Sequence, residues 1–286
     1  MPTVEHQGLR IHFDELGSGP AMVLGHSFLC SGEMWAPQIS RLAEARQVVN
    51  VDYRGHGRSG RVERPFTLYD LVDEVVAVLD HLQIERAVWA GLSIGGMVAL
   101  RAALTAPERV SGLILLDSHA GAEGLWKKLK YRAMGRGARL VGFRPFLPAV
   151  LPLMFGRTTL GVNRTLVETW KEKFAAMDVP SMLHALEALV RRDSVVARLG
   201  EIRVPALVLV GEEDRSLPVA DAEEIHAGLP DSRLVVIPKA GHLSTLEQPQ
   251  AVTEAMLEFL DGLLPGPGTL ALGPVQIETA GDREQR

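Results

Sequence analysis

Residues 21–117 alternate short apolar runs with longer amphipathic stretches, and this alternation constrains the fold more than any other feature of the chain. The apolar runs are rich in β-branched and aliphatic residues, as strands covered on both faces are. They are Ala21–Gly25, Gln47–Asp52, Ala87–Leu92 and Val110–Asp117. Because strands that alternate with helices pair in parallel, the pattern predicts an α/β fold with a mostly parallel sheet flanked by helices.

The amphipathic stretches predict three helices, over Glu33–Glu44, Thr67–Leu82 and Ile94–Ala106. Thr67, with Asp70 three residues later, is typical of a helix N-terminus. Elsewhere the same reasoning predicts an antiparallel edge strand, two later strands and a last helix, over Leu9–Glu15, Val204–Gly211, Arg233–Pro238 and Pro249–Leu263.

Residues 120–203 interrupt the alternation, and we call them the insert. They have helical spacing only, punctuated by prolines, and divide two strands of one sheet. We therefore predict a core of residues 1–119 and 204–264 and a helical cap, the insert, over the carboxyl ends of the strands. Residues 265–286 are predicted to be a C-terminal tail. Its apolar stretch 270–277 could dock on the core or on a second subunit, which leaves a homodimer open.

Composition excludes several classes of function. A chain of 286 residues with 47% hydrophobic and 23% charged residues buries a sizeable core. No apolar run reaches the roughly 20 residues of a membrane span, and residues 1–9 lack the pattern of a signal peptide, so we expect a cytoplasmic protein without integral membrane association. One cysteine leaves no CxxC metal motif, and a net charge of −5 gives no reason to bind nucleic acid.

The segment Gly91–Gly96 (GLSIGG) lies where a buried strand is predicted to give way to a helix. A serine at such a tight turn projects its hydroxyl above the sheet, and glycines on both sides remove side chains that would clash there. Ser93 is therefore the candidate nucleophile. A serine needs a base at neutral pH, and the base needs a third group to orient it.

His242 is the candidate base because it follows the last predicted strand, on the side of the sheet where Ser93 should lie. His26 and His119 also follow strands and are its nearest rivals. The candidate acid is Asp214, after the strand that ends at Gly211.

Asp117, at the end of another strand, is the geometric rival of Asp214, whereas Glu212 and Glu213 fall earlier in the Asp214 turn. The acyl transfer that such a triad performs also requires two donors for an oxyanion. We expect them to be the backbone N–H groups of Ile94 and Phe28.

Five motifs together resemble the α/β-hydrolase family over about residues 4–264: GLSIGG at 91–96, DYRGHGRS at 52–59, APERV at 106–110, GEED at 211–214 and AGH at 240–242. The resemblance implies an eight-stranded sheet and a structural role for His56 in its loop. Within the family, GLSIGGM and LLDSHAG look like carboxylesterases and the 3-oxoadipate enol-lactonase branch. Ser93, where dehalogenases and epoxide hydrolases of the family carry aspartate, argues against those two activities.

The insert carries the features that bear on substrate. Residues 125–144 contain seven lysines and arginines and no acid, and residues 146–155 (FLPAVLPLMF) are strongly apolar. The basic segment could attract anionic substrates or an anionic lipid surface, or be an ordinary solvated helix face. Candidate residues for the substrate pocket are Leu29, Met154, Phe155 and Trp170.

These observations predict a serine hydrolase that cleaves carboxylic esters of small to medium acyl chain through an acyl-enzyme, with a small-molecule ester as its partner. Neither metal nor organic cofactor is needed. A lactonase and a carbon–carbon bond hydrolase would use the same triad, and cofactor-free perhydrolysis is a further option on this scaffold. A hypothesis of a different class is a small-molecule-binding protein on a hydrolase scaffold.

Overall fold

The computed structural model describes residues 2–263, and their strands form one eight-stranded sheet in the order β1-β2-β4-β3-β5-β6-β7-β8. Strands β3 to β8 pair in parallel, while β2 is antiparallel to both β1 and β4. The strands are β1 (Thr3–His6), β2 (Leu9–Leu16), β3 (Ala21–Gly25), β4 (Gln47–Asp52), β5 (Ala87–Leu92), β6 (Val110–Leu116), β7 (Ala206–Gly211) and β8 (Ser232–Ile237). The prediction of a mostly parallel, eight-stranded sheet is confirmed.

Eleven α-helices lie among residues 2–263. They are α1 (Ala36–Leu42), α2 (Leu68–His81), α3 (Ile94–Thr105), α4 (Leu125–Val141), α5 (Leu147–Met154), α6 (Arg157–Val162), α7 (Arg164–Ala175), α8 (Val179–Arg191), α9 (Val219–Gly228), α10 (Ser244–Glu247) and α11 (Pro249–Gly262). None of the helices in this range is long and apolar enough to cross a membrane. Helices α4 to α8 make up most of the insert, between β6 and β7.

The central strands are where apolar runs were found in the sequence, because a strand buried on both faces has no polar alternation to show. Every residue of β5 and of β7 is buried. Helices α2, α3 and α9 pack on one face of the sheet, and α1 and α11 pack on the other. The helix predicted from Thr67 begins there with a capping box in which Thr67 and Asp70 each bond the other's backbone.

Strand β1 was not predicted, and its turn explains why it forms. Gln7 and Gly8 both have positive φ, 51° and 76°, which is the geometry of a two-residue hairpin between β1 and β2. A four-residue strand with mixed polarity carries too little periodicity to be read from the sequence. Helices α9 and α10 were also not predicted. Residues 265–286, the predicted tail, lie outside the described residues.

Candidate active site

Ser93 occupies a strained turn between β5 and α3. Its backbone has φ 58° and ψ −114°, a conformation that side-chain-bearing residues rarely adopt. Two hydrogen bonds hold the turn: the Ser93 N–H donates to the Leu116 carbonyl at 2.8 Å, and the Ser118 hydroxyl donates to the Ser93 carbonyl at 2.9 Å. The Ser93 backbone, held by one main-chain bond and one bond from the Ser118 side chain, therefore aims the Ser93 side chain away from the sheet.

Glycines make this turn sterically possible. A Cβ on Gly91 would lie 2.1 Å from the Gly95 carbonyl carbon, and a Cβ on Gly95 would lie 2.3 Å from the Gly25 carbonyl oxygen. Both distances are far below van der Waals contact, so helix α3 approaches β3 and β5 this closely only because these positions lack side chains.

Asp214 and His242 meet beyond the ends of β7 and β8. The His242 Nδ1 atom lies 2.8 Å from Oδ2 of Asp214, and both side chains are buried. The second carboxylate oxygen of Asp214 accepts the N–H groups of Ser216 and Leu217 at 2.8 and 3.0 Å. Since these bonds fix the carboxylate, the imidazole is held in one orientation, with Nε2 pointing away from Asp214.

The charges around His242 favour its protonated form. Burial by itself lowers the pKa of His242, but the neighbouring carboxylates together, led by Asp214 and the hydrogen bond to it, raise the pKa above its ordinary value. Asp117 and Glu247 contribute in the same direction. An imidazolium formed during a reaction would thus be stabilised.

Asp117, the rival acid, has a different set of partners. Its carboxyl group accepts the Gly211 N–H at 2.7 Å and is hydrogen-bonded to the Ser244 hydroxyl at 2.5 Å. Burial, and then the negative charge of Asp214, raise the pKa of Asp117 well above its ordinary range. Asp117 therefore joins the base of the Asp214 turn to the His242 loop, whereas Asp214 contacts the imidazole itself.

The two rival histidines are engaged elsewhere. In His26, Nδ1 lies 2.8 Å from the Ser27 carbonyl and Nε2 accepts the Tyr53 N–H at 2.9 Å, so both ring nitrogens bond the backbone. His119 lies against the guanidinium of Arg192, at 3.1 Å. The Nε2 atom of His119 faces the carboxylates of Asp221 and Glu224 at 3.8 and 3.9 Å. Neither histidine lines the cavity that Ser93 and His242 share.

Glu247 was missed in the sequence, although it connects the His242 loop to the insert. Its carboxylate accepts the N–H groups of Gly241 at 2.9 Å and of Gly156 at 2.8 Å. The two glycines touch, because a Cβ on Gly241 would lie 2.1 Å from the Gly156 nitrogen. The only sequence signal was a glutamate five residues after the histidine, which is too common to single out.

One cavity brings Ser93 and His242 together with the insert. Its volume is about 100 Å³. Besides Ser93 and His242, its wall is mainly apolar and is formed by the loop after β3 and by helices α4, α5 and α8. Its apolar residues include Phe28, Leu29, Tyr131, Met134, Val150, Met154, Met182 and Leu186. The insert thus supplies most of the wall opposite Ser93.

The candidate pocket residues divide into two pairs. Leu29 and Met154 line this cavity. Phe155 and Trp170 do not; each packs against Phe174, with ring centroids 6.5 and 6.0 Å apart. Phe155 and Trp170 therefore belong to the aromatic packing inside the insert. The sequence could not show this, because neighbouring residues at a helix end point in different directions and the pattern does not tell which one faces the cavity.

The candidate oxyanion donors lie at the same end of the sheet. Ile94 is the first residue of α3, where N–H groups have no partner within the helix. Phe28 lies in the loop after β3, in which the Ser27 N–H bonds the Met34 sulfur and Leu29 has a positive φ of 64°. Phe28 also lines the cavity.

A largely buried ion pair forms the polar part of the cavity wall. An Nη1 of Arg192 lies 3.1 Å from Oε2 of Glu123, and the Arg192 Nε donates to the Gly121 carbonyl at 2.9 Å. Both side chains line the cavity. The pair joins the first and last segments of the insert, and no motif in the sequence indicated it.

The sheet order, the strained serine turn and the carboxylate-bound histidine are the features of one class of enzymes. The chain belongs to the alpha/beta hydrolase family, whose model matches residues 19–255. Its relatives differ in what they act on. The chain is 28% identical over 256 residues to 3-oxoadipate enol-lactonase 2 of Acinetobacter baylyi, covering 89% of this chain and 94% of the relative.

Esterases are also among the similar proteins. The chain is 31% identical over 261 residues to the pimeloyl-[acyl-carrier protein] methyl ester esterase of Xanthomonas oryzae pv. oryzae, covering 87% of this chain and 98% of the relative. Among solved structures, a thermophilic esterase from Thermogutta terrifontis superposes with a TM-score of 0.85 at 29% identity, covering 91% and 97% of the two chains.

Proposed function

We propose that this protein is a serine hydrolase that cleaves carboxylic esters with a small to medium acyl chain. The observation that carries the proposal is the buried 2.8 Å contact between His242 and Asp214 on a cavity that Ser93 also lines. A nucleophile in a strained turn, a base and an acid that orients the base are the parts that acyl transfer requires.

In the proposed reaction, the Ser93 Oγ attacks the ester carbonyl carbon while Nε2 of His242 takes the hydroxyl proton. Asp214 holds the imidazole and stabilises the imidazolium. His242 then gives the proton to the leaving alcohol oxygen, and an acyl-enzyme on Ser93 remains. His242 then takes a proton from water, which attacks the acyl carbon. As the acid is released, His242 gives the proton to the Ser93 Oγ.

The oxyanion of each tetrahedral intermediate would be bound by the N–H groups of Ile94 and Phe28. The Ile94 donor lies at the positive end of the α3 dipole. The aromatic ring of Phe28 would then form the adjacent wall. In this interpretation the insert is the cap over the core of residues 1–119 and 204–264, and it encloses the acyl group.

The cavity favours small acyl groups. Its volume of about 100 Å³ is below the roughly 300–1,000 Å³ of pockets for drug-sized ligands. Met134, Met154 and Met182 contribute flexible, apolar wall, which suits an acyl chain.

A lactonase is the second candidate, favoured by the similarity to an enol-lactonase over most of both chains. A lactone is a cyclic ester, so the same attack by Ser93 opens the ring and leaves the alcohol attached to the acyl group. The Arg192–Glu123 pair would supply polar contacts that a linear alkyl ester does not need.

The test is a pre-steady-state assay with p-nitrophenyl esters from acetate to laurate, alongside 3-oxoadipate enol-lactone and N-acyl homoserine lactones. Wild type is compared with Ser93→Ala and with Ser18→Ala, an exposed loop serine as matched control. Mass spectrometry of quenched reactions locates the acyl group.

An ester burst with acylated Ser93, lost only in Ser93→Ala, supports the esterase. Rapid lactone opening with slow ester turnover moves the function to the lactonase. Tight binding of these compounds without turnover would overturn both in favour of a binding protein.

A further inference from the structure

Helix α4 exposes large apolar side chains on its outer side. Of the eight large hydrophobic residues that are exposed among residues 2–263, five belong to this helix: Leu125, Trp126, Leu129, Leu140 and Val141. Trp126 is 82% exposed and Leu140 is 85% exposed. We call these five residues, with exposed Ala133, the α4 face.

The α4 face follows the helix. Leu125, Leu129, Ala133 and Leu140 are separated by four, four and seven residues, so they lie along one side at 3.6 residues per turn. Only Gly135 and Ala138 of the 17 residues of α4 are buried. The helix therefore directs its apolar stripe outward and packs on the protein through small residues.

Basic side chains lie on both sides of this stripe, and Arg136, seven residues after Leu129, lies in line with it. Residues 125–144 carry a charge of +7 without an acid, while the rest of the chain carries −12, the difference between −5 and +7. Within the described part of the chain, Arg132 pairs with Glu187, whereas Lys128, Lys130, Arg136 and Arg139 have no ion pair. Arg132, Arg136 and Arg139 line a groove beside α8 together with Arg191.

Three occupants could cover such a face, and the charges distinguish them. A second copy that met through the same face would bring two strongly positive surfaces together, because a two-fold interface is self-complementary. An acidic protein would neutralise the charges, but it would also have to present an apolar surface to Trp126 and Leu140. An anionic bilayer supplies both, since phosphates attract the basic residues and the acyl boundary receives the apolar ones.

We propose that α4 is an interfacial helix that docks this protein on anionic membrane surfaces. In the docked state the helix, about 25 Å long, lies in the plane of the headgroups with the α4 face toward the acyl chains. Trp126 lies at the headgroup level, where tryptophan is enriched. The opposite side of α4, with Tyr131, Met134 and Gly135, lines the catalytic cavity, so one helix separates the membrane from the site.

The experiment measures binding of the full chain to sedimented vesicles. Vesicles of phosphatidylcholine alone are compared with vesicles that contain about one third phosphatidylglycerol, between about 50 and 500 mM salt. We expect binding to the anionic vesicles only, weakening as salt rises. Because docking does not require catalysis, the Ser93→Ala chain should bind equally well, so loss of the proposed hydrolase activity and loss of docking are separate results.

Two sets of variants locate the surface. Lys130→Gln/Arg136→Gln/Arg139→Gln should weaken binding about 10- to 100-fold, since each basic residue near the bilayer contributes to the attraction. The control, Arg10→Gln/Arg64→Gln/Arg203→Gln, removes the same charge from exposed positions elsewhere and should leave binding within about twofold.

The apolar set is Leu125→Ser/Trp126→Ser/Leu129→Ser, with Leu16→Ser/Val162→Ser/Val236→Ser as its control at other exposed positions. Weaker binding only in the first of these sets supports the proposal. Hydrolysis of a soluble ester and circular dichroism check that each variant is folded.

Three results would overturn docking. They are absence of sedimentation with anionic vesicles at low salt, equal losses in variants and controls, and binding of soluble polyglutamate through the same residues without any binding to vesicles. The last result would assign the face to an acidic protein instead.

Discussion

The turn at Ser93 and helix α4 stand on opposite sides of one cavity, and they are held in different ways. Ten of the twelve residues of α3 are buried. The turn before it is held by a backbone hydrogen bond, by the Ser118 hydroxyl and by glycines in direct contact with neighbouring backbone. Helix α4 has two buried residues among seventeen. The side of the cavity that carries Ser93 is therefore fixed at the level of the main chain, while the opposite side depends on a few side-chain contacts.

In the proposed mechanism, this difference separates the reacting groups from the wall that selects the substrate. Groups that must lie within a fraction of an ångström of one another are placed by strands and their turns. Side chains of the opposite wall can be substituted, and the outer side of α4 can bind a surface, without disturbing those groups. Substitutions on the two sides should consequently differ in kind as well as in size.

The largest expected effect comes from removing the nucleophile. Ser93→Ala should lower kcat for the best ester by about four to six orders of magnitude, because the triad acts as a unit. Thermal unfolding should stay close to that of wild type, since the backbone holds the turn. Substantial turnover in Ser93→Ala, beyond that of a mock purification, would remove Ser93 from the mechanism.

Next is the choice of acid. Asp214→Asn should lower kcat about 10³- to 10⁴-fold, because the imidazole loses its orienting charge. Asp117→Asn should cost less than about tenfold, since Asp117 does not contact the imidazole and an asparagine can keep the hydrogen bonds to the Gly211 N–H and to the Ser244 hydroxyl. Steady-state kinetics of the two matched variants decide the matter, and the reverse order of losses would make Asp117 the acid.

Two glycine substitutions, one beside the Ser93 turn and one in the insert, test how tightly the main chain is packed in each place. Gly95→Ala should lower the free energy of unfolding by roughly 3 kcal/mol or more, because its Cβ would lie against the Gly25 carbonyl. Gly161→Ala in α6 of the insert meets no atom within 4 Å and should raise stability by about 0.5 kcal/mol. Urea unfolding measures both, and equal effects would contradict the contrast drawn here.

A smaller effect is expected on the wall of the cavity. Met134→Ala should shift the best acyl chain toward longer esters, changing relative kcat/KM about tenfold, because each added methylene in an apolar pocket contributes modestly. Met177→Ala, also in the insert but outside the lining of this cavity, is the control. An unchanged chain-length profile in Met134→Ala would exclude that residue from the acyl site.

The smallest effect concerns pH. His242 must be neutral to accept the Ser93 proton, so kcat/KM should fall as the pH drops through its pKa. Because Asp214, Asp117 and Glu247 raise that pKa, the acidic limb should lie above the ordinary value of about 6.5. A profile measured with unfolding monitored in parallel tests this, and a limb below that value would show that burial outweighs the carboxylates.

Much of the fold followed from periodicity alone. The apolar runs at Ala21–Gly25, Gln47–Asp52 and Ala87–Leu92 are strands with those bounds, because buried parallel strands are continuous apolar segments. Strand β1 and helix α9 were not predicted from the sequence, because short or weakly periodic segments become ordered through tertiary contacts. For the site, the glycines around Ser93 and the position of His242 after the last predicted strand selected these two candidates, although His26 and His119 also follow strands.

The sequence by itself determined the order of strands and helices and the residues at the strand ends. Both follow from the local pattern of apolar residues and turn residues. Tertiary structure alone decided that Asp214 rather than Asp117 contacts His242, that Glu247 connects Gly241 to Gly156, and that Phe155 and Trp170 turn away from the cavity. It also decided that the apolar stripe of α4 faces outward. The physical reason is that periodicity shows which residues share a face, whereas only packing determines what that face is placed against.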